Sequence, residues 1–165
     1  MIIRDEAPAD RSDIAWLLRD AFGRDDEAEL VARLRDDGAV ILALVAEADG
    51  EIAGHIVLSR LATQIDGRAV EAAALAPLAV RPDRQRRSIG SRLVETAIAQ
   101  ASRAGIAAVI VLGNPHYYGR FGFSAALAEK LASPVAGPAF MALELVPEAL
   151  SGARGSVTYP RAFAL

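Results

Sequence analysis

A chain of 165 residues with 53% hydrophobic and 24% charged side chains has the balance of one globular domain, and its apolar runs break too early to cross a bilayer. The absence of cysteine excludes thiol catalysis and thiolate metal sites, and no metal is expected; a net charge of −3 gives no general affinity for nucleic acid. The first residues, Met-Ile-Ile-Arg-Asp-Glu, lack the basic and then apolar layout of a signal peptide, so a cytoplasmic location is expected.

In chain order, Ile2 to Arg4 reads as a short strand. Asp10 or Ser12 is placed to cap a helix that carries Ile14, Leu17, Leu18 and Phe22 at helical spacing and stops at Gly23. Asp25 to Arg35 forms a second helix, acidic in its first turn, with Ala28, Val31, Ala32 and Leu34 on one face and Gly38 after it. Ile41 to Ala48 and Glu51 to Ser59 are β-rich runs joined by Asp49-Gly50, and Asp66-Gly67 turns the chain into Arg68 to Val80. Three antiparallel strands follow, and Pro77, which cannot donate to a ladder, predicts a bulge in the last of them. A helix from about Ile89 to Ala104 buries Ile89, Leu93, Val94, Ala97, Ile98 and Ala101 and ends at Gly105. Ala107 to Leu112 is a buried strand, parallel to the one ending at Val80 by the βαβ rule. The last third offers Ala139 to Leu145 and Val157 to Tyr159 as strands among prolines and glycines.

The junction between Val80 and Ile89 is an anion site on residue chemistry alone. An apolar strand runs through a basic turn into a helix, whose first N–H groups lack intrahelical partners and carry partial positive charge. Arg84, Arg86, Arg87 and Arg92 add whole charges, local to an acidic chain, which suits a small anion such as a phosphate. A Walker-type loop is excluded because the Gly-Lys-Ser/Thr ending is missing.

The string Val80-Arg81-Pro82-Asp83-Arg84-Gln85-Arg86-Arg87-Ser88-Ile89-Gly90 resembles the acyl-CoA loop of the GCN5-related N-acetyltransferase (GNAT) superfamily. That loop reads Gln or Arg, two residues, Gly, one residue, then Gly or Ala. Gln85 and Gly90 are in register, and Ser88 replaces the first glycine; a serine suits the negative φ of many loop positions and caps a helix. A second string, Leu112-Gly113-Asn114-Pro115-His116-Tyr117-Tyr118-Gly119-Arg120-Phe121-Gly122-Phe123, resembles the superfamily's segment in which a tyrosine precedes a Gly-Phe pair by four residues. With Ala21-Phe22-Gly23-Arg24, Gly54-His55-Ile56, Ala76-Pro77-Leu78-Ala79-Val80 and Phe140 to Leu145, it is similar to a bacterial, YhbS-like subgroup of N-acetyltransferases. The resemblance implies an α/β GNAT fold: a mixed central sheet, parallel strands splayed around Val80 and Leu112, and helices on both faces. It covers the chain to about Leu145 and makes residues 1–165 one domain with a C-terminal extension from 146.

The implied reaction moves an acetyl group from acetyl-CoA directly to a primary amine. It needs a held thioester, a donor for the oxyanion, a proton for the departing thiolate and a route for the amine proton. Backbone groups of Leu78, Ala79 and Val80 are expected to bond the pantetheine arm, with the Val80 N–H facing the thioester oxygen. Gln85, Arg86, Arg87, Ser88, Ile89, Gly90 and Ser91 are expected to hold the pyrophosphate, and Asn114 an amide of the arm. Tyr118 is the expected general acid, its phenol protonated with a pKa of about 10, while Tyr117 packs. Glu71 is the candidate base; His116 and His55 have suitable pKa values but read more simply as a solvated loop residue and a structural histidine. Arg24, Asp25 and Asp26 fall where acceptors are contacted in the family.

The competing function is a non-catalytic acyl-CoA or nucleotide-binding module, in which the basic loop holds phosphate and Tyr118 only packs. Nucleic-acid binding through Arg81 to Arg92 fits the acidic whole least well. Neither the acceptor amine nor the oligomeric state follows from the sequence: Phe163 and Leu165 suit either a cover over the monomer or a homodimer contact.

Overall fold

The computed structural model describes residues 1–165. Strand β1 (Ile2–Asp5) is followed by α1 (Arg11–Phe22), α2 (Asp26–Asp36), β2 (Val40–Ala48), β3 (Glu51–Ile65), β4 (Arg68–Val80), α3 (Ile89–Arg103) and β5 (Ala108–Leu112). The short α4 (Pro115–Tyr118) and α5 (Ala125–Ala128) then lead to β6 (Leu131–Ala132), β7 (Phe140–Glu144) and β8 (Gly155–Thr158). No helix is long and apolar enough to cross a membrane.

The sheet runs β1-β2-β3-β4-β5-β7, all antiparallel except β4 with β5. Both Asp-Gly turns hold two consecutive residues at positive φ, Asp49 and Gly50 at 53° and 75°, Asp66 and Gly67 at 49° and 78°. That geometry matches the right-handed twist of the flanking strands, so each turn closes a hairpin. Strand β3 is six residues longer than its apolar run indicates. Its second half alternates buried Leu61, Thr63 and Ile65 with exposed Arg60, Ala62 and Gln64, and β8 pairs with it from Ala62 to Ile65. Arg60 and Gln64 disguise that alternation because the polar face is solvated. The segment after residue 145 is therefore built into the sheet through β8, and the Asp66 carboxylate anchors it by accepting the N–H groups of Ala153 and Arg154, each at 3.0 Å.

Helices lie on both faces. Ile89, Leu93, Val94, Ala97 and Ala101 of α3 pack with Leu44, Ile56, Leu58 and Val109 of the sheet. Ile14, Leu17 and Leu18 of α1 and Ala28, Val31 and Leu34 of α2 pack with Val45, Val57 and Ala79 on the other face. Two expected core positions are displaced: Ala32 is exposed on α2, and Phe22, at the last turn of α1, is only partly covered. Asp10 does not cap α1 as expected. Its carboxylate accepts both guanidinium N–H groups of Arg4, at 2.8 and 3.0 Å, and the N–H of Ala7, at 2.7 Å. A charge-assisted bidentate pair outcompetes a neutral cap for the same oxygens.

The bulge at Pro77 is present. Ile56 pairs with Leu78 but Leu58 pairs with Leu75, so Ala76 and Pro77 together face Val57. On its other edge, β4 stays in register with β5 only from Ala72 with Ala108 to Leu75 with Val111. Beyond that point the two parallel strands part, and the site lies in the gap.

Candidate active site

The open edge of β4 follows from its register. Arg81 N–H bonds the Ala53 carbonyl at 2.9 Å, and residues of an antiparallel ladder alternate between partner and open edge. Ala79, paired with His55, thus gives its backbone groups to β3, while those of Leu78 and Val80 face the gap. Of the three residues expected to bond a pantetheine arm, Leu78 and Val80 are available and Ala79 is not; its side chain is buried under α1 and α2.

Past Val80 the chain builds an anion cradle. The first helical bond of α3 runs from Arg92 N–H to the Ser88 carbonyl at 3.0 Å, which leaves the N–H groups of Ile89, Gly90 and Ser91 without helical acceptors. Arg86 and Ser88 both have φ of 63°, a left-handed turn of the kind that gathers N–H groups around an anion. The expectation that Ser88 adopts negative φ and caps the helix is corrected on both counts, since its hydroxyl makes no capping bond. Serine in this conformation carries strain that glycine does not. Ser88→Gly is expected to stabilise the protein by about 1 kcal/mol without weakening cofactor binding; denaturant unfolding and calorimetry measure the two.

A cavity of about 530 Å³ adjoins this cradle, lined by Leu78, Val80, Gln85, Arg86, Ser88 to Ser91, Tyr117, Tyr118 and Arg120. Gln85 Nε2 donates to the Val80 carbonyl at 3.3 Å, fastening the loop to the open edge. The arginines divide. Arg81 pairs with Glu51 and Asp83, and Arg84 with Asp49 at 2.8 Å, so these two brace the β2–β3 turn and do not serve the cradle. Arg86 lines the cavity, whereas Arg87 and Arg92 are exposed and outside its lining. Arg120, to which the sequence assigned no role, supplies a second cation: its guanidinium lies 4.6 Å from the Tyr117 ring centroid and donates to Ser91 Oγ at 3.3 Å. The detectable signal was its place three residues after Tyr117, one helical turn along the same short segment.

Tyr117 is more than packing. A Cβ on Gly90 would lie 2.9 Å from its hydroxyl, so the phenol closes directly over the cradle. Tyr118 stands deeper, with its ring edge-on to Tyr117 at 5.0 Å and to Phe123 at 5.7 Å. Gly113 makes room for it, because a Cβ there would meet the ring at 2.5 Å. Burial, with a smaller contribution from Tyr117, pushes the Tyr118 phenol up to about 12.

A second cavity, of about 420 Å³, approaches Tyr118 from the other side. Phe22, Leu30, Leu112, Tyr159, Phe163 and Pro77 give it a mainly apolar lining, and Arg24 and Glu27 carry its only ionisable side chains besides the two tyrosines. Leu78 and Tyr118 border both cavities. Phe163 and Leu165 line this pocket, with Leu165 still 64% exposed.

The remaining expected residues fall elsewhere. Glu71 is exposed near the start of β4, six residues before Pro77, and lines neither cavity. Asn114 is exposed, and its Oδ1 accepts the His116 N–H at 2.9 Å as the N-cap of α4, so that oxygen is already engaged. His116 is exposed on the same turn. His55 is wholly buried in β3 and shares Glu6 with Arg35. Asp25 pairs with Arg19 and Asp26 is exposed; of the turn between α1 and α2, Arg24 alone reaches the second cavity among the residues named for it.

The same arrangement recurs in known proteins. The acetyltransferase (GNAT) domain family matches residues 3–126. The N-acetyltransferase YhbS of Escherichia coli K12 is 37% identical over 166 residues, covering 99% of this chain and 98% of its own. Its solved structure in complex with CoA superposes with a TM-score of 0.90 at 36% identity, over 99% of this chain and 92% of that one. A GNAT family acetyltransferase of Brucella melitensis, solved with acetyl-CoA, matches at 34% identity and a TM-score of 0.82, over 98% and 97% of the two chains. Alike from end to end in sequence and in the splayed sheet that opens the cleft, the chain belongs to the GNAT acetyltransferase family.

Proposed function

We propose that this N-acetyltransferase uses acetyl-CoA as donor in the cradle-lined cavity and acetylates a primary amine that enters from the apolar one, by direct transfer. The observation that carries this reading is the meeting of two cavities at Leu78 and Tyr118: a groove beside the anion cradle on one side, a mainly apolar pocket on the other, with a phenol between. The N–H groups of Ile89, Gly90 and Ser91, with Arg86 and Arg120, meet the pyrophosphate. The open backbone edge at Leu78 and Val80 adds the pantetheine arm as though it were another strand.

With the thioester at the junction, the amine nitrogen attacks the carbonyl carbon as the carbon–sulfur bond breaks. A Val80 N–H on the open edge is placed to donate to the developing oxyanion, which is worth far more in a water-poor gap than in bulk solvent. Tyr118 donates a hydrogen bond to the departing sulfur. Thiols ionise near 8.5 and this phenol near 12, so Tyr118 steadies the thiolate without surrendering its proton outright. The proton lost by the amine leaves to water through the mouth of the acceptor pocket.

The test couples calorimetry with acetyl-CoA to thiol release in the presence of a panel of amines. Saturable binding followed by acceptor-dependent release is expected. Binding with no release from any amine identifies a binding module instead, and absent binding refutes the reading altogether.

A further inference from the structure

The composition of the second cavity, taken with the function proposed above, defines a class of acceptor. Apart from Arg24 and Glu27, its polar side chains are the phenols of Tyr118 and Tyr159, and the rest of the wall is apolar side chains from α1, α2, β4, β5, Val135 and the C-terminal segment. Its volume, about 420 Å³, lies at the small end of the range for small-molecule sites. Glu27 is held in place: Arg24 Nε donates to Oε1 at 2.9 Å and a second Arg24 nitrogen donates to Oε2. This hydrogen bonding lowers the Glu27 carboxyl and keeps it ionised at neutral pH. The Glu27 side chain is only 13% exposed, against 59% for Arg24, so the carboxylate turns inward and the guanidinium outward. A carboxylate has about four acceptor positions, and the fork from Arg24 leaves room for an ammonium group.

We infer that the acceptor is a small monoamine on an aryl or branched alkyl body, recognised by the apolar wall and drawn in by Glu27. A polyamine or an aminosugar carries several ammonium groups, and one carboxylate already shared with an arginine would leave the others against the apolar side chains of Leu30, Tyr159 and Phe163 without partners. Burying unpaired charge is far less favourable than leaving it in water. An arylalkylamine loses nothing of this kind and removes apolar surface from water on both sides of the contact. Glu27 is here a positioning and specificity residue, and the phenol at the inner end remains the group at the reacting atoms.

The experiment compares kcat/KM for phenethylamine, tryptamine and isoamylamine with that for spermidine, kanamycin and free lysine, at saturating acetyl-CoA. The aryl and branched alkyl amines are expected to be preferred by roughly tenfold or more, the factor that one partnerless buried charge implies. Glu27→Gln is expected to raise their KM about tenfold with kcat nearly unchanged, as loss of one charge-assisted bond requires. Its acetyl-CoA affinity should stay at the wild-type value, which a misfolded variant would not preserve. Preference for the polycations, no turnover of the apolar monoamines, or an unchanged KM in Glu27→Gln overturns the inference. Loss of acetyl-CoA binding by the wild-type protein would instead refute the donor assignment beneath it, so the two failures are distinguishable.

Discussion

Tyr118→Phe is expected to lower kcat about 10²-fold while leaving acetyl-CoA affinity within a factor of two, the range found for loss of a single group that serves the departing atom. The reason is local. Phenylalanine keeps the ring that packs edge-on to Tyr117 and Phe123 and fills the space above Gly113, so the fold and both cavities persist. Only the hydroxyl disappears, and with it the donor proposed for the departing thiolate. Because burial raises this phenol to about 12, it stays protonated through the usual assay range, and no fall in rate from its ionisation is expected below about pH 11. Steady-state kinetics against pH, with a separate binding isotherm, decide the matter. An unchanged kcat would reduce Tyr118 to packing. Gly113→Ala offers a check with the hydroxyl retained, since the added methyl displaces the ring from its seat and should depress kcat as well.

Glu6→Ala is expected to be the most destabilising of the substitutions considered, by about 3 kcal/mol, or roughly 10 °C in Tm for a protein of this size. Glu6 joins β1 to the sheet interior. Arg35 Nε donates to Oε2 at 2.7 Å, and His55 Nε2 lies 2.7 Å from Oε1. Burial alone would raise the Glu6 carboxyl, but the bonds from His55 and Arg35 outweigh it and hold the group at about 2. Burial likewise lowers His55, so the ring is neutral and its Nε2–H is the donor. Truncation strands a mostly buried guanidinium and a fully buried imidazole without their acceptor.

The same network sets the pH dependence of stability. His55 has a folded pKa below its unfolded value of about 6.5, so the unfolded chain binds the extra proton and stability falls as pH drops below that point. Glu6, lowered from 4.5 to about 2, adds a second loss as pH falls from about 4.5 toward 2. Wild-type Tm should therefore begin to decline below about pH 6.5, and Glu6→Ala should lose the deeper part of that decline. Thermal unfolding of both proteins between pH 3 and 8 measures it; parallel curves would show that Glu6 does not carry the effect.

Local rules made the site's frame legible from sequence. The Asp-Gly dipeptides predicted both hairpins because that pair readily takes two positive φ values in succession. Pro77 predicted the bulge because it lacks an N–H, and the basic turn before Ile89 predicted the anion cradle because helix starts leave donors free. Leu78, Val80, Gln85, Arg86, Ser88 to Ser91 and Tyr118 accordingly converge on one cavity. What escaped depends on partners distant in sequence. Arg84 looked like a phosphate ligand until Asp49, 35 residues earlier, proved to hold it. Asp10 looked like a cap until Arg4 folded over it. Glu71 looked near the cleft, although an extended strand carries it about 20 Å from Pro77 at 3.3 Å per residue.

By itself, then, the sequence of this chain determined the order of elements, the break in β4 and the chemistry of the turn that follows it, since all three arise from backbone preferences within a few residues of one another. Tertiary structure alone decided which arginines remain unpaired, that Arg120 swings back to the cradle, that Ala79 faces β3 while Val80 faces the gap, and that Glu27 lines the second, mainly apolar cavity. Those outcomes are fixed by strand register and by contacts between segments tens of residues apart, where a charge is satisfied by whichever partner the fold brings nearest.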